Sequence, residues 1–150
     1  MNETFSRILA TKRKHWWRSR SVFQPHAPVS ESELATIERQ LECTLPSELR
    51  EWLLQAGYGD INEELSFRRD WFRKHNKGNL AGNVFFAQDI LGNFYAFEPH
   101  SGAISFFSRT APEYGSMSPD FGNFMEELER REFKLEEWID SLEVLPDEDA

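Results

Sequence analysis

A single cysteine, Cys43, excludes an internal disulfide, so the core must hold the fold without crosslinks. No apolar run approaches the ~20 residues that span a bilayer. The opening stretch MNETFSRILATKRKHWW also lacks the apolar segment and small-residue cleavage site of a secretion signal. A cytoplasmic protein with no membrane partner is the expectation. Cations are scarce: 17 Lys and Arg face 26 Asp and Glu, a formal net charge of −9. That excess repels phosphate backbones, so no nucleic-acid partner is expected unless a local basic patch overrides it. His15, His26, His75 and His100 are scattered, without the clustered spacing of a zinc site, and no metal is expected. Cys43 lies between Leu41 and Leu45, the setting of a small buried hydrophobe rather than a thiol nucleophile. Gly57-Tyr58-Gly59 lacks the G-x-G-x-x-G spacing of a dinucleotide cradle, and Asp120-Phe121-Gly122 stands without the other kinase motifs. No cofactor and no catalytic residue is assigned.

Large apolar side chains are abundant. The 13 Phe, 5 Trp and 3 Tyr supply enough surface to offset the entropy of folding one domain of 150 residues. The charge is distributed unevenly. Residues 1–29 carry six cations against Glu3, a local +5. Residues 30–119 carry −5, and residues 120–150, with twelve carboxylates and three cations, carry −9.

Phe5, Ile8, Leu9, Lys12 and Trp16 fall at helical spacing, which predicts an amphipathic basic helix over 3–17. Ser21 to Val29, interrupted by Pro25 and Pro28, reads as a linker. Ser30-x-x-Glu33 is a capping box opening a helix whose face is Leu34, Ile37 and Leu41. A third helix begins near Pro46, buries Leu49, Trp52, Leu53 and Ala56, and ends at Gly57 as a left-handed cap. The texture then shifts to short aromatic runs: Leu65 to Phe67, Val84 to Gln88, Asn93 to Phe97 and Ala103 to Phe107, separated by turn residues. These predict an antiparallel meander. Ser118-Pro119-Asp120 opens a helix, with Ser118 as cap, that turns Phe121, Phe124, Met125 and Leu128 inward. A further helical segment carries Phe133, Trp138, Ile139 and Leu142. The expected fold is α+β, an antiparallel sheet with helices packed on one face and an extra N-terminal helix. Its divisions are a basic arm over 1–29, a main domain over 30–145, and a frayed acidic tail over 146–150.

Two features admit more than one chemistry. Asp60, Asp89 and Glu98 lie near turns and strand ends, where a carboxylate pair could act as acid and base if the groups converged; a solvated or recognition surface is the alternative. The stretch Lys12-Arg13-Lys14-His15-Trp16-Trp17-Arg18 mixes cations with aromatics, a pattern suited to nucleic acid or membrane. Docking on the acidic C-terminal helices of its own chain or of a second copy is the preferred reading, because that partner charge is already present in the molecule.

The segment order resembles a known family. Ser30-x-x-Glu33-Leu34-x-x-Ile37-Glu38-x-x-Leu41, then Leu45-Pro46-x-x-Leu49-Arg50-x-Trp52-Leu53-Leu54-x-x-Gly57-Tyr58-Gly59, is similar to the opening of a SMI1/KNR4 domain of the SUKH superfamily. Phe86-Ala87-Gln88-Asp89-x-x-Gly92-Asn93-x-Tyr95-Ala96-Phe97, Gly102-x-Ile104-x-Phe106-Phe107 and Phe121-x-x-Phe124 are similar to its later segments. The resemblance covers about residues 30 to 140. Glu42 stands where relatives commonly have Gly, which requires a turn made without glycine, and Gly57-Tyr58-Gly59 replaces their Asn-Gly-Gly. The resemblance implies a non-enzymatic protein-binding domain, of the bacterial immunity-protein type, whose partner is a toxin, often a nuclease. A regulatory or scaffold protein with an endogenous partner is the alternative, and a small hydrolase using a carboxylate pair is the third reading. An acidic inhibitor can be steered electrostatically to a basic active-site groove. Tyr58, Asp60, Glu63, Glu64, Asp89, Glu98, Glu113 and Tyr114, in loops or at element ends, are the candidate contacts. The protein is expected to be a monomer or homodimer.

Overall fold

The computed structural model describes residues 2–15 and 18–147. Helix α1 (Glu3–Ala10) is opened by Asn2, whose Oδ1 accepts from the Phe5 amide at 3.2 Å, and it buries Phe5 and Ile8. It ends at Ala10, not near residue 17. Thr11 is extended, and the chain turns into a hairpin of β1 (Lys12–His15) and β2 (Arg18–Ser21), which the Val22 amide closes on the Thr11 carbonyl at 2.9 Å. An almost wholly polar stretch shows neither period clearly, so backbone pairing decided its form. Trp16 and Trp17, which supplied the aromatic part of the arm's signature, lie outside the described residues.

The expected linker contains a strand, β3 (Phe23–Ala27), which pairs with β4 and forms one edge of the main sheet. An edge strand accommodates Pro25 because no neighbour needs its missing N–H on the open side. Helix α2 (Glu31–Leu41) begins as expected, with the Glu33 amide donating to Ser30 Oγ at 3.2 Å. It is closed without glycine by Glu42 in the left-handed conformation (φ 55°, ψ 39°). Helix α3 (Ser47–Ala56) follows Pro46 and ends at Gly57. Gly57 has φ +79° but an extended ψ of −168°, not a left-handed helical one, because the chain passes straight into β4. A side chain there would lie 2.4 Å from the Ala27 carbonyl oxygen, so glycine is required.

The remaining strands are β4 (Tyr58–Ile61), β5 (Leu65–Phe67), β6 (Arg73–Lys74), β7 (Val84–Asp89), β8 (Phe94–Phe97), β9 (Ile104–Phe107), β10 (Glu113–Ser118) and β11 (Val144–Pro146). A single 3-10 turn, η1 (Arg69–Trp71), separates β5 from β6. Among the described residues β3–β11 form one nine-stranded sheet in the order β11-β10-β9-β8-β7-β5-β4-β3, with β6 also on β7 and every pairing antiparallel. Helix α4 (Phe121–Arg130) is capped by Asp120, whose Oδ1 accepts from the Asn123 amide at 2.7 Å; the cap falls two residues beyond the expected Ser118. Helix α5 (Glu136–Asp140) is short, and Phe133 lies before it in a left-handed turn.

Side chains from all five helices join the inner face of the sheet in one core. Trp52 is at its centre, with ring centroids 5.3 Å from Phe5, 5.4 Å from Phe23 and 5.9 Å from Phe67. The arm is thus packed into the same core as the rest, and Arg7 Nη2 fastens α1 to Glu129 of α4 at 3.0 Å. At the other terminus Pro146 ends a paired strand and Asp147 is only 3% exposed, so these two residues of the expected tail are held.

Candidate functional site

The face of the sheet opposite the helices carries the candidate site. Cross-strand register links Gln24, Asp60, Ser66, Gln88, Phe94, Phe107, Tyr114 and Leu145 in one line over eight strands. Side chains alternate along a strand, so all of these share the outer face while neighbours such as Ile61, Leu65 and Phe67 enter the core. The line is polar at the β3 end and aromatic at the β10 end.

The aromatic half is covered. Phe85, Ala96 and Phe107, with Leu80, Phe94 and Tyr114 against them, form a second apolar cluster. Residues 75–82 cross it as a strap: the His75 ring lies 5.3 Å from Phe85 and 5.0 Å from Phe107, and Asn79 Nδ2 reaches the Pro146 carbonyl at 3.3 Å. Asp147 holds the strap, with Oδ1 accepting from the Asn79 amide at 2.7 Å and Oδ2 lying 3.0 Å from His75 Nε2.

The polar half is open. Asp60 accepts from Ser66 Oγ, and its Oδ2 lies 3.0 Å from His26 Nε2. Arg68 Nη2 is 3.8 Å from Asp60 Oδ1 and 3.0 Å from the same His26 nitrogen, which can serve only one of the two neighbours at a time. The Arg68 guanidinium stacks 5.6 Å from the Trp71 ring centre, and that of Arg73 lies 5.3 Å from Phe85 and 5.1 Å from Phe94. His26, Ser66, Arg68, Trp71 and Arg73 were not among the expected contacts. For Arg68, Trp71 and Arg73 the signal was present as the run Arg68-Arg69-Asp70-Trp71-Phe72-Arg73-Lys74-His75, but averaging over an acidic region concealed it.

The eight expected contacts do not converge. Asp60 and Tyr114 are on the outer face. Glu63 is exposed in the β4–β5 turn, 3.2 Å from Arg20, and Glu113 is exposed at the start of β10. The other four turn inward or serve local structure. Tyr58 is buried, and burial pushes its hydroxyl well above the usual tyrosine range, with Glu33 beside it adding to the effect. Glu64 Oε2 accepts from the Leu135 amide at 2.8 Å, tying the β4–β5 turn to α5. Asp89, 8% exposed, accepts from the Leu91 amide, the Asn93 amide and side chain, and Tyr95 Oη at 2.9–3.0 Å, so a partner has no access to it. At Glu98, burial tends to raise the carboxyl. Hydrogen bonds from Ser101 and from the His100 amide outweigh that tendency and hold it below the usual range. Asp89 and Glu98 flank opposite ends of β8, and Asp60 is two strands away from β7, so the three carboxylates form no acid–base pair.

Among the described residues, five helices on one face of an antiparallel sheet, with the other face half open, define an α+β protein whose exposed chemistry is hydrogen bonding, ion pairing and stacking. The model of the SMI1/KNR4 family (SUKH-1) matches residues 28–127, and the chain belongs to that family. No significant match is found among curated proteins or solved structures. The match excludes α1, the β1–β2 hairpin, β3 and everything after the middle of α4. Among the described residues no helix is long and apolar enough to cross a membrane, and no group of three or more His, Cys, Asp or Glu could hold a metal ion.

Proposed function

We propose that this SUKH-family protein is a cytoplasmic immunity protein, one that binds a cognate bacterial toxin through the outer face of its sheet and acts by binding rather than catalysis. The observation that supports this reading best is the open polar half of that face. There Asp60, Ser66 and Gln88, on rigid strands, and Arg68, just beyond β5, offer donors and acceptors beside the large ring of Trp71. Preorganised polar groups next to a large aromatic are the composition of interface hot spots. Asp60 and Tyr114 are on this face, and Glu63 and Glu113 lie at strand ends beside it, so these four are the expected contacts that the proposal retains.

Co-expression tests the reading. The chain should restore growth to cells producing a toxin encoded beside its gene. Ser66→Arg or Gln88→Arg should abolish that protection with the fold intact, whereas Glu126→Gln on the helical side should not. No rescue and no neighbouring toxin gene would overturn the role. Rescue that is indifferent to both outer-face variants would move the contact elsewhere.

A further inference from the structure

The carboxylates and cations of this chain are separated by layer. Helices α2–α5 carry eleven carboxylates against Arg39, Arg50 and Arg130. Residues 58–118 carry seven carboxylates and six cations, and five of those cations fall between Arg68 and Lys77, where Asp70 is the one acid. Of these five, Arg69 donates to Gln40 of α2 and Lys74 lies opposite the core residue Val84, both toward the helices, so the outer face near β5 and β6 presents Arg68 and Arg73, with Asp60 beside Arg68, while the rest of the acidity is concentrated on the helical layer. Both strands pair with β7, Ser66 opposite Gln88 and Arg73 opposite Phe85, which places Arg68 and Arg73 along one strand of the outer face.

We infer that the outer face around Arg68 and Arg73 receives an acidic segment of a partner protein, the two guanidinium groups taking its carboxylates. The inference rests on the protein-binding role proposed above and adds the partner's chemistry. The Arg73 side chain is exposed and makes no hydrogen bond or ion pair with any described residue, and its guanidinium lies over both Phe85 and Phe94. Contact with the two rings restrains the group, so less entropy remains to be lost when it grips a carboxylate bidentately. Arg68, 46% exposed, lies over Trp71 and is also held by His26 at 3.0 Å and by Asp60 at 3.8 Å. The net charge of −9 opposes an acidic partner only at long range; within a screening length of ~8 Å at physiological salt the local cations dominate. A nucleic acid would extend its charge beyond this patch into the field of the remaining carboxylates. In a second copy, the acidic surface is the helical layer. Sheet face against helical face is a head-to-tail contact that does not close at two subunits. An acidic segment of a different protein fits the patch best.

The test is an NMR titration of the full chain with a short Glu-rich peptide. Amide shifts should centre on residues 66–73, with the Trp71 indole. Arg73→Gln should weaken binding about tenfold or more, and Arg73→Lys, which keeps charge but loses the fork, should recover part of the loss. The double variant Arg13→Gln/Arg20→Gln should bind the peptide as the parent does. Shifts centred on residues 12–21, unchanged affinity in Arg73→Gln, tighter binding of a single-stranded oligonucleotide at the same residues, or concentration-dependent self-assembly in sedimentation would each overturn the inference. Toxin rescue separates the two ideas: protection that survives Arg73→Gln sinks this inference alone, whereas absent protection with a positive titration sinks the immunity role alone.

Discussion

Glu42 closes α2 with positive φ, a conformation that costs a residue with a Cβ about 1 kcal/mol more than glycine. Its side chain is exposed, so Glu42→Gly should raise stability by about 0.5–1 kcal/mol, read as a higher midpoint in denaturant. Asp89 presents the opposite case. Replacing it with Ala leaves the fully buried Tyr95 hydroxyl and several turn amides without their acceptor, and should cost about 2–4 kcal/mol. Asp89→Asn, which keeps the shape, should cost less. Glu98 gives a pH dependence. Its folded carboxyl titrates below the unfolded one, so the unfolded state binds the proton first as pH falls, and the contribution is full above the ordinary Glu range and lost below it. Thermal melts from ~pH 6 to ~pH 3, across the ordinary Glu value near 4.3, should therefore show a shallower acid decline in Glu98→Gln than in the parent. An identical decline in both would refute the assignment.

At the scale of elements, the strap and the arm each depend on one anchor. Gly78, with φ +80°, lets the strap approach so closely that a Cβ would lie 2.0 Å from Asp147 Oδ1. Asp147→Ala removes the acceptor for Asn79 and His75 together. It should cost about 2 kcal/mol and strip hydrogen-exchange protection from residues 75–83 while that of β7 to β9 persists. The arm is anchored apolarly. The Arg7–Glu129 pair is largely solvated, and Arg7→Ala should cost less than ~1 kcal/mol. Phe5, fully buried against Trp52 and Phe121, should cost about 3–5 kcal/mol on truncation to Ala, although it lies outside the residues matched by the family.

For the whole molecule, the opening arithmetic of +5, −5 and −9 becomes a layered arrangement, with an acidic helical side and a sheet face that is cationic around Arg68 and Arg73. Self-repulsion within the helical layer should weaken as salt is added, so the melting temperature should rise between ~0.01 M and ~0.15 M, where the screening length shrinks from ~30 Å to ~8 Å. A melting temperature falling over that range would mean that attractive pairs, not repulsion, dominate the surface. Much of the fold was legible locally. Ser30 capping α2, the inward stripe of α4, and the Phe-rich strands of the meander are short-range patterns, and a backbone obeys those wherever burial agrees with them. The hairpin over 12–21, strand β3 and the held C-terminal residues were not legible, because polar or proline-bearing segments become strands only when a neighbour offers its edge. The site followed the same division. Sequence by itself determined which residues carry charge and which can pack. Only tertiary structure decided that Asp89 and Glu64 serve the chain's own turns, and that Arg68 rests on Trp71 and Arg73 on Phe85 and Phe94. Cross-strand register is a long-range property, set by pairing between segments far apart in the chain.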